Sequence, residues 1–203
     1  MLPLFIELTG RKVAVFGAGG VGQRKANFFA READVTAIGL KFSTGFDPRV
    51  RLVKGEIREE MERWVDWADL VVAATDDAEL NDAIARAAQE KGKLCNRADG
   101  VSTFLIPSLV EKDGYCVAIS TLGRSPGMSK FLRLKLEREL GPRFDLMVRL
   151  QEELRELARS RIPDQVDRER FLWTVLEDDA VWSLLESDYP KAREAALAIL
   201  EAA

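Results

Sequence analysis

Residues 12–26, Lys12-Val13-Ala14-Val15-Phe16-Gly17-Ala18-Gly19-Gly20-Val21-Gly22-Gln23-Arg24-Lys25-Ala26, decide the fold. An apolar run of strand type leads into a G-x-G-x-x-G turn and then into a helix, the sequence of parts that builds a dinucleotide site. Each glycine has its own physical task. Gly17 permits the tight turn, Gly19 lets the backbone approach a pyrophosphate, and Gly22 lets the helix pack closely on the strand. The first-turn N–H groups then face the phosphates.

Working outward, the pattern alternates strand and helix for about 100 residues. Val13–Phe16 reads as a strand, and 21–32 as a helix with Val21, Phe28 and Phe29 on its apolar face. Val35–Ile38 and 50–53 read as further strands, and 56–67 as a helix with Ile57, Met61, Trp64 and Val65 at helical spacing. The apolar run 70–74 suits a strand buried on both faces of a parallel sheet. Thr75-Asp76-Asp77 supplies a helix cap, an alanine-rich helix runs over 79–91, Gly92 ends it, and 93–96 forms a fifth strand. The order predicts an α/β fold, a Rossmann-like doubly wound parallel sheet, over residues 1–100.

After Gly100 the character changes. Residues 103–110 and 115–120 read as two strands joined by Glu111-Lys112-Asp113-Gly114, a turn composition. Ser125-Pro126 caps a helix that runs to Leu140. Two strands and a helix cannot cover both their faces alone, so 101–142 reads as a small α+β domain that joins the first sheet or pairs with a second copy. From Arg143 to 203 the pattern is helical, with helices over 144–160, 167–176 and 189–200.

Composition narrows the class. Of 203 residues 47% are apolar, enough for a real core, and the net charge of −4 argues against nucleic acid as the main partner. Met1-Leu2-Pro3-Leu4-Phe5-Ile6 lacks a basic start and is followed by Glu7, so neither a signal peptide nor a membrane span is expected, and the protein is expected to be cytoplasmic. Cys95 and Cys116 fall inside the strands, where cysteine is usually a small buried hydrophobe, and no disulfide is expected. Histidine is absent, which excludes histidine-built zinc sites and leaves proton transfer to carboxylates, thiols and hydroxyls. No metal site is expected.

Ligands of open α/β sheets bind beyond the carboxyl ends of the strands. Those ends carry Gly17 to Gly22, Gly39 to Lys41, Thr75 to Asp77 and Asn96 to Asp99. The acid that usually closes the second strand is missing, with Ile38-Gly39-Leu40-Lys41 in its place, so NADP is not excluded as the cofactor. Lys41 has two readings, a solvated loop residue or a contact to a 2′-phosphate. Asp99 also has two, a proton acceptor beside the ligand or half of an Asp-Gly turn. Asp76 and Asp77 complement a helix dipole with no further purpose required. Ser120-Thr121-Leu122-Gly123-Arg124-Ser125-Pro126, with Lys130 following, is either an anion receptor or an ordinary capped helix with a basic outer face.

Several blocks together resemble the precorrin-2 dehydrogenase family, which includes the N-terminal module of sirohaem synthases. They are Leu2-Pro3-Leu4-Phe5, the glycine turn with Arg24-Lys25-Ala26, Ala73-Ala74-Thr75-Asp76-Asp77 with Asn81, Asn96-Arg97-Ala98-Asp99, Phe104 to Pro107, and Ala118-Ile119-Ser120-Thr121 with Gly123, Ser125 and Pro126. The resemblance implies NAD-dependent oxidation of precorrin-2 to sirohydrochlorin in a homodimer, whose chain has a nucleotide-binding domain, a central dimerisation domain and an all-helical C-terminal domain. It implies that Asp99 is the catalytic acid–base group. It places nucleotide contacts on Gly20, Val21, Leu40 and Lys41, with Thr75, Asp76 and Asn96 completing that site. A polycarboxylate tetrapyrrole would meet Arg97, Ser120, Thr121, Gly123, Arg124, Ser125 and Lys130. Some family members also chelate iron. Here Arg97-Ala98 departs from the apolar pair that usually precedes the aspartate, and a chelatase alone or a silent tetrapyrrole carrier stand as alternatives.

Overall fold

The computed structural model describes residues 1–202. The chain divides into two compact units, the first ending at Ile106 and the second beginning at Pro107.

The first unit is a five-stranded sheet, β1 (Lys12–Phe16), β2 (Asp34–Gly39), β3 (Arg51–Lys54), β4 (Leu70–Ala73) and β5 (Leu94–Arg97), in the order β3-β2-β1-β4-β5. Every neighbouring pair is parallel, with Val15 opposite Ala37 on one side and Val72 on the other. Helix α1 (Gly20–Phe29) follows β1, α2 (Ile57–Trp67) follows β3, and α3 (Ala78–Glu90) follows β4.

Side chains alternate across the strands, so β1 feeds two cores. Val13 and Val15 pack with Val72, Ala26 and Phe29 on the α1 face, while Ala14 and Phe16 pack with Val71, Trp64, Val65 and Ile84 on the α2–α3 face. Burial on both sides explains the continuous apolar runs. The strand order reverses between β1 and β4, which opens a crevice beyond their carboxyl ends.

Helix α1 is shorter than 21–32 because Ala33 N–H turns back to the Phe29 carbonyl (2.9 Å) and the chain leaves for β2. It buries Gly22, Ala26 and Phe29, whereas Val21, expected on the apolar face, is exposed. The strand expected from Thr103 begins only at Ser108. Residues 103–106 instead close the first unit: Thr103 N–H donates to the Cys95 carbonyl (2.9 Å), Asn96 Nδ2 donates to the Phe104 carbonyl (2.9 Å), and the Phe104 ring meets Phe29 edge-on. Pro107 has no N–H to offer a ladder.

The second unit opens with an antiparallel hairpin, β6 (Ser108–Glu111) and β7 (Cys116–Ile119), with Glu111 opposite Cys116. Helix α4 (Pro126–Glu139) packs on it, and α5 (Pro142–Arg161), α6 (Gln165–Glu177), α7 (Asp179–Leu184) and α8 (Tyr189–Ala202) follow. Leu150, Leu154, Ala158, Phe171, Val175, Val181, Ala192 and Ala196 form their shared core. Asp164 and Asp178 cap α6 and α7 by accepting first-turn N–H groups. Around the hairpin burial is thin. Val110 and Ser129 are buried, while Met128, Phe131 and Leu134 on α4 are exposed. Cys95 is buried as expected, but Cys116, expected inside, is exposed because its side of β7 is uncovered; the two form no disulfide. Among the described residues no helix is long and apolar enough to cross a membrane, and no group of three or more Cys, Asp or Glu side chains is gathered to hold a metal ion.

Candidate functional site

The glycine turn is built by close approach. Gly17, at φ +100°, would carry a Cβ 2.3 Å from the Ala74 carbonyl oxygen, and Gly22 one 1.8 Å from the Gly17 carbonyl oxygen. Neither site admits a side chain unless backbone moves. Gly19 differs: a Cβ there would meet no protein atom within 4 Å. As N-cap of α1 it offers no side-chain oxygen to the first-turn N–H groups, and no acid stands in that turn. The positive end of the helix is therefore left for an external anion. Gly39 presses on the same turn, since its Cβ would lie 3.1 Å from that of Ala18.

The crevice holds a cleft of about 750 Å³. Gly17, Gly19, Gly20, Val21, Leu40, Lys41, Thr75 and Asp76 line it. Gly22 and Asn96 do not. Gly22 spends its missing side chain on contact with Gly17, and Asn96 is buried with its carboxamide held between Lys25 Nζ and the Phe104 carbonyl. The cleft also takes in Glu56 and Arg58 from the start of α2, and Asp77. Arg58 Nη2 pairs with Asp77 Oδ2 at 3.0 Å. The Asp77 carboxyl is held below the usual range first by the Leu80 N–H that it caps and then by Arg58. The signal that could have found Glu56 and Arg58 was their position just past the third strand.

Asp99 lies after β5 with both carboxylate oxygens engaged. Asn81 Nδ2 donates to Oδ2 at 3.0 Å, and Arg97 donates to Oδ1 from Nε (3.2 Å) and Nη2 (3.1 Å). The Asn81 hydrogen bond, with help from Arg97 and against partial desolvation, holds the Asp99 carboxyl below its ordinary value. It is thus ionised at neutral pH. Arg97, expected as a substrate contact, also pairs with Asp82. Lys25 on α1 is half-buried, and desolvation pulls its ammonium downward, partly opposed by the Asp99 carboxylate. Burial pushes the Cys95 thiol up to about 11, which makes it a core side chain and not a reactive thiol.

In the second unit the Ser120 to Ser125 turn is internally bonded. Leu122 (φ +54°) and Gly123 (φ +80°) reverse the chain. Ser120 Oγ accepts from Leu122 N–H (3.0 Å), Thr121 Oγ1 from Ser125 N–H (3.0 Å), and Ser125 Oγ from Met128 N–H (3.2 Å). These hydroxyls order the helix entry. Arg124 and Lys130 are exposed, and Ser129, not singled out from sequence, is buried 3.1 Å from the Thr121 hydroxyl.

A parallel sheet with this crevice and glycine turn defines a Rossmann-like NAD(P)-binding domain, and residues 4–108 match a family model described as "Putative NAD(P)-binding". The chain is 38% identical over 208 residues to precorrin-2 dehydrogenase of Methanosarcina barkeri, a match that covers 98% of this chain and 93% of that one. It is 31% identical to the sirohaem synthase of Actinobacillus succinogenes, covering 94% of this chain and 41% of that protein. The solved structure of SirC, a precorrin-2 dehydrogenase, superposes with a TM-score of 0.70 at 22% identity and covers 99% of this chain and 100% of that one. The chain belongs to the precorrin-2 dehydrogenase family, which includes the N-terminal modules of sirohaem synthases.

Proposed function

We propose that the chain oxidises precorrin-2 to sirohydrochlorin with NAD, in the formation of sirohaem. The observation that carries this reading is the pairing, in one compact unit, of a nucleotide cleft with a carboxylate, Asp99, tied through Asn81 to Thr75 of its wall. The cleft fits a dinucleotide. Open space above Gly19 leaves room for a pyrophosphate, and the uncapped N–H groups of α1 would bind it. Leu40, Lys41 and Glu56, beside β2 and β3, would hold the adenosine half, with Thr75 and Asp76 toward the other half.

NAD, when bound, supplies a hydride acceptor. Loss of two hydrogens from the macrocycle then leaves one proton to be taken up, and Asp99 is the acceptor. Its ionised state at neutral pH suits that role. Arg97 in the first unit and, separately, Arg124 and Lys130 with the turn Ser120, Thr121, Gly123 and Ser125 in the second are each candidates to receive carboxylates of the substrate. The exposed apolar side chains of α4 suit an interface with a second copy of the chain, and the working form would be a homodimer.

Incubating the purified protein with precorrin-2 and NAD, while following reduced cofactor and sirohydrochlorin spectrally, tests the reading. Equal formation of both products is expected. Binding of the tetrapyrrole without reduction of either NAD or NADP would overturn it in favour of a carrier.

A further inference from the structure

Asn81, on α3, is fully buried, and its carboxamide is engaged at every position. Oδ1 accepts from the Thr75 N–H (3.1 Å) and the Thr75 hydroxyl (2.8 Å). Nδ2 donates to the Thr75 carbonyl (3.1 Å) and to Asp99 Oδ2 (3.0 Å). Two donors and two acceptors fill the capacity of the group. Its orientation is determined by those partners: turned over, its oxygen would face a carboxylate and a carbonyl, and its N–H groups would face an N–H.

We propose that Asn81 is a positioning residue for the dehydrogenation, which ties Asp99 to the wall of the nucleotide cleft and holds its carboxylate in one orientation. The proposal rests on the reading of Asp99 as proton acceptor. Of its two partners, Thr75 lines the cleft and Asp99 carries the carboxylate; one buried side chain joins them, Asn81 standing 18 residues before Asp99 in sequence. A carboxylate this exposed could satisfy Oδ2 with water, so solvation does not require the link to Asn81. The link removes rotational freedom. Arg97 fixes Oδ1 and Asn81 fixes Oδ2, so the plane of the carboxylate is set from two elements.

The charges that face Asp99 are few. Arg97 comes from β5, Asp82 on α3 shares that guanidinium, and Lys25 on α1 acts at longer range beside Cys95. All of them remain when Asn81 is changed, so a neutral substitution isolates its contribution.

The test is Asn81→Asp, which has the same shape. It keeps the acceptors for Thr75 N–H and hydroxyl, removes the donor to Asp99, and sets a second carboxylate beside it. Asp99 must be ionised to act, so kcat falls as pH drops through its pKa; a raised pKa moves that acid limb upward. The expected result is an acid limb higher by about 1 unit or more, with the NADH dissociation constant within about threefold of wild type. Asn81→Ser, which also lacks the reach to Asp99 but adds no charge, is measured in the same way, and the proposal requires the limb to move there too. A loss of thermal stability or nucleotide affinity with the acid limb unmoved would show a merely structural role and overturn the proposal. Asp99→Asn is measured alongside: full turnover there would defeat the reading of Asp99, whereas an inactive Asp99→Asn with an unmoved limb in the Asn81 variants would defeat this proposal alone.

Discussion

Gly19→Ala separates binding from folding at the glycine turn. Gly19 has φ −73° and ψ −177°, ordinary extended backbone for alanine, and its Cβ would meet no protein atom within 4 Å. Stability should therefore change by no more than about 1 kcal/mol, and in the favourable direction if the unfolded chain loses freedom. The same methyl would stand in the cleft, where a pyrophosphate must approach the first-turn N–H groups. Loss of one charge-assisted hydrogen bond costs about 1.5–3 kcal/mol, or roughly 10- to 140-fold in affinity. Gly22→Ala is the contrast, because a Cβ 1.8 Å from the Gly17 carbonyl oxygen forces backbone apart. It should cost about 1–3 kcal/mol of stability or more and weaken nucleotide as well. Thermal unfolding and NADH fluorescence titration on both variants give the two quantities. Unchanged NADH affinity in Gly19→Ala would refute the placement of the phosphates.

The cleft should favour NAD over NADP by about tenfold or more in kcat/KM, because Glu56, on the adenosine side, repels a 2′-phosphate and Arg58 is already paired with Asp77; Glu56→Gln should narrow the ratio. Cys95, buried and with its thiol pushed up to about 11, should resist alkylation at pH 8 until the protein unfolds, as peptide mapping after a timed pulse would show. Leu154→Ala, in the centre of the helical core, should destabilise the second unit by about 2–5 kcal/mol in denaturant titration while leaving NADH affinity unchanged.

The nucleotide unit was legible because its causes are local. Gly22 answers to Gly17 in the same turn, although Gly17 answers to Ala74 far along the chain, and an apolar run such as 70–73 suits a strand covered on both faces. Asp99 stood out by its place after the fifth strand, and Asn81 only as part of a resembling block; that the two are partners was not legible, since a hydrogen bond between α3 and the segment after β5 leaves no periodic trace. Phe104, Leu105 and Ile106 read as a strand because they are apolar, and no local signal revealed that Phe104 and Ile106 pack on the α1 face of the sheet. Helix α7 is too short for helical spacing to register. The exposure of Cys116 depends on what covers a two-stranded hairpin, which residue type does not encode.

The central claim is that one unit combines a nucleotide cleft with a carboxylate that takes the proton. Comparing wild type with Asp99→Asn in a single turnover of precorrin-2 and NAD tests it most directly. The account predicts that the variant folds, binds NADH as wild type does, and forms reduced cofactor at least about 100-fold more slowly, the low end of what a general base contributes. Reduction at the wild-type rate would contradict it.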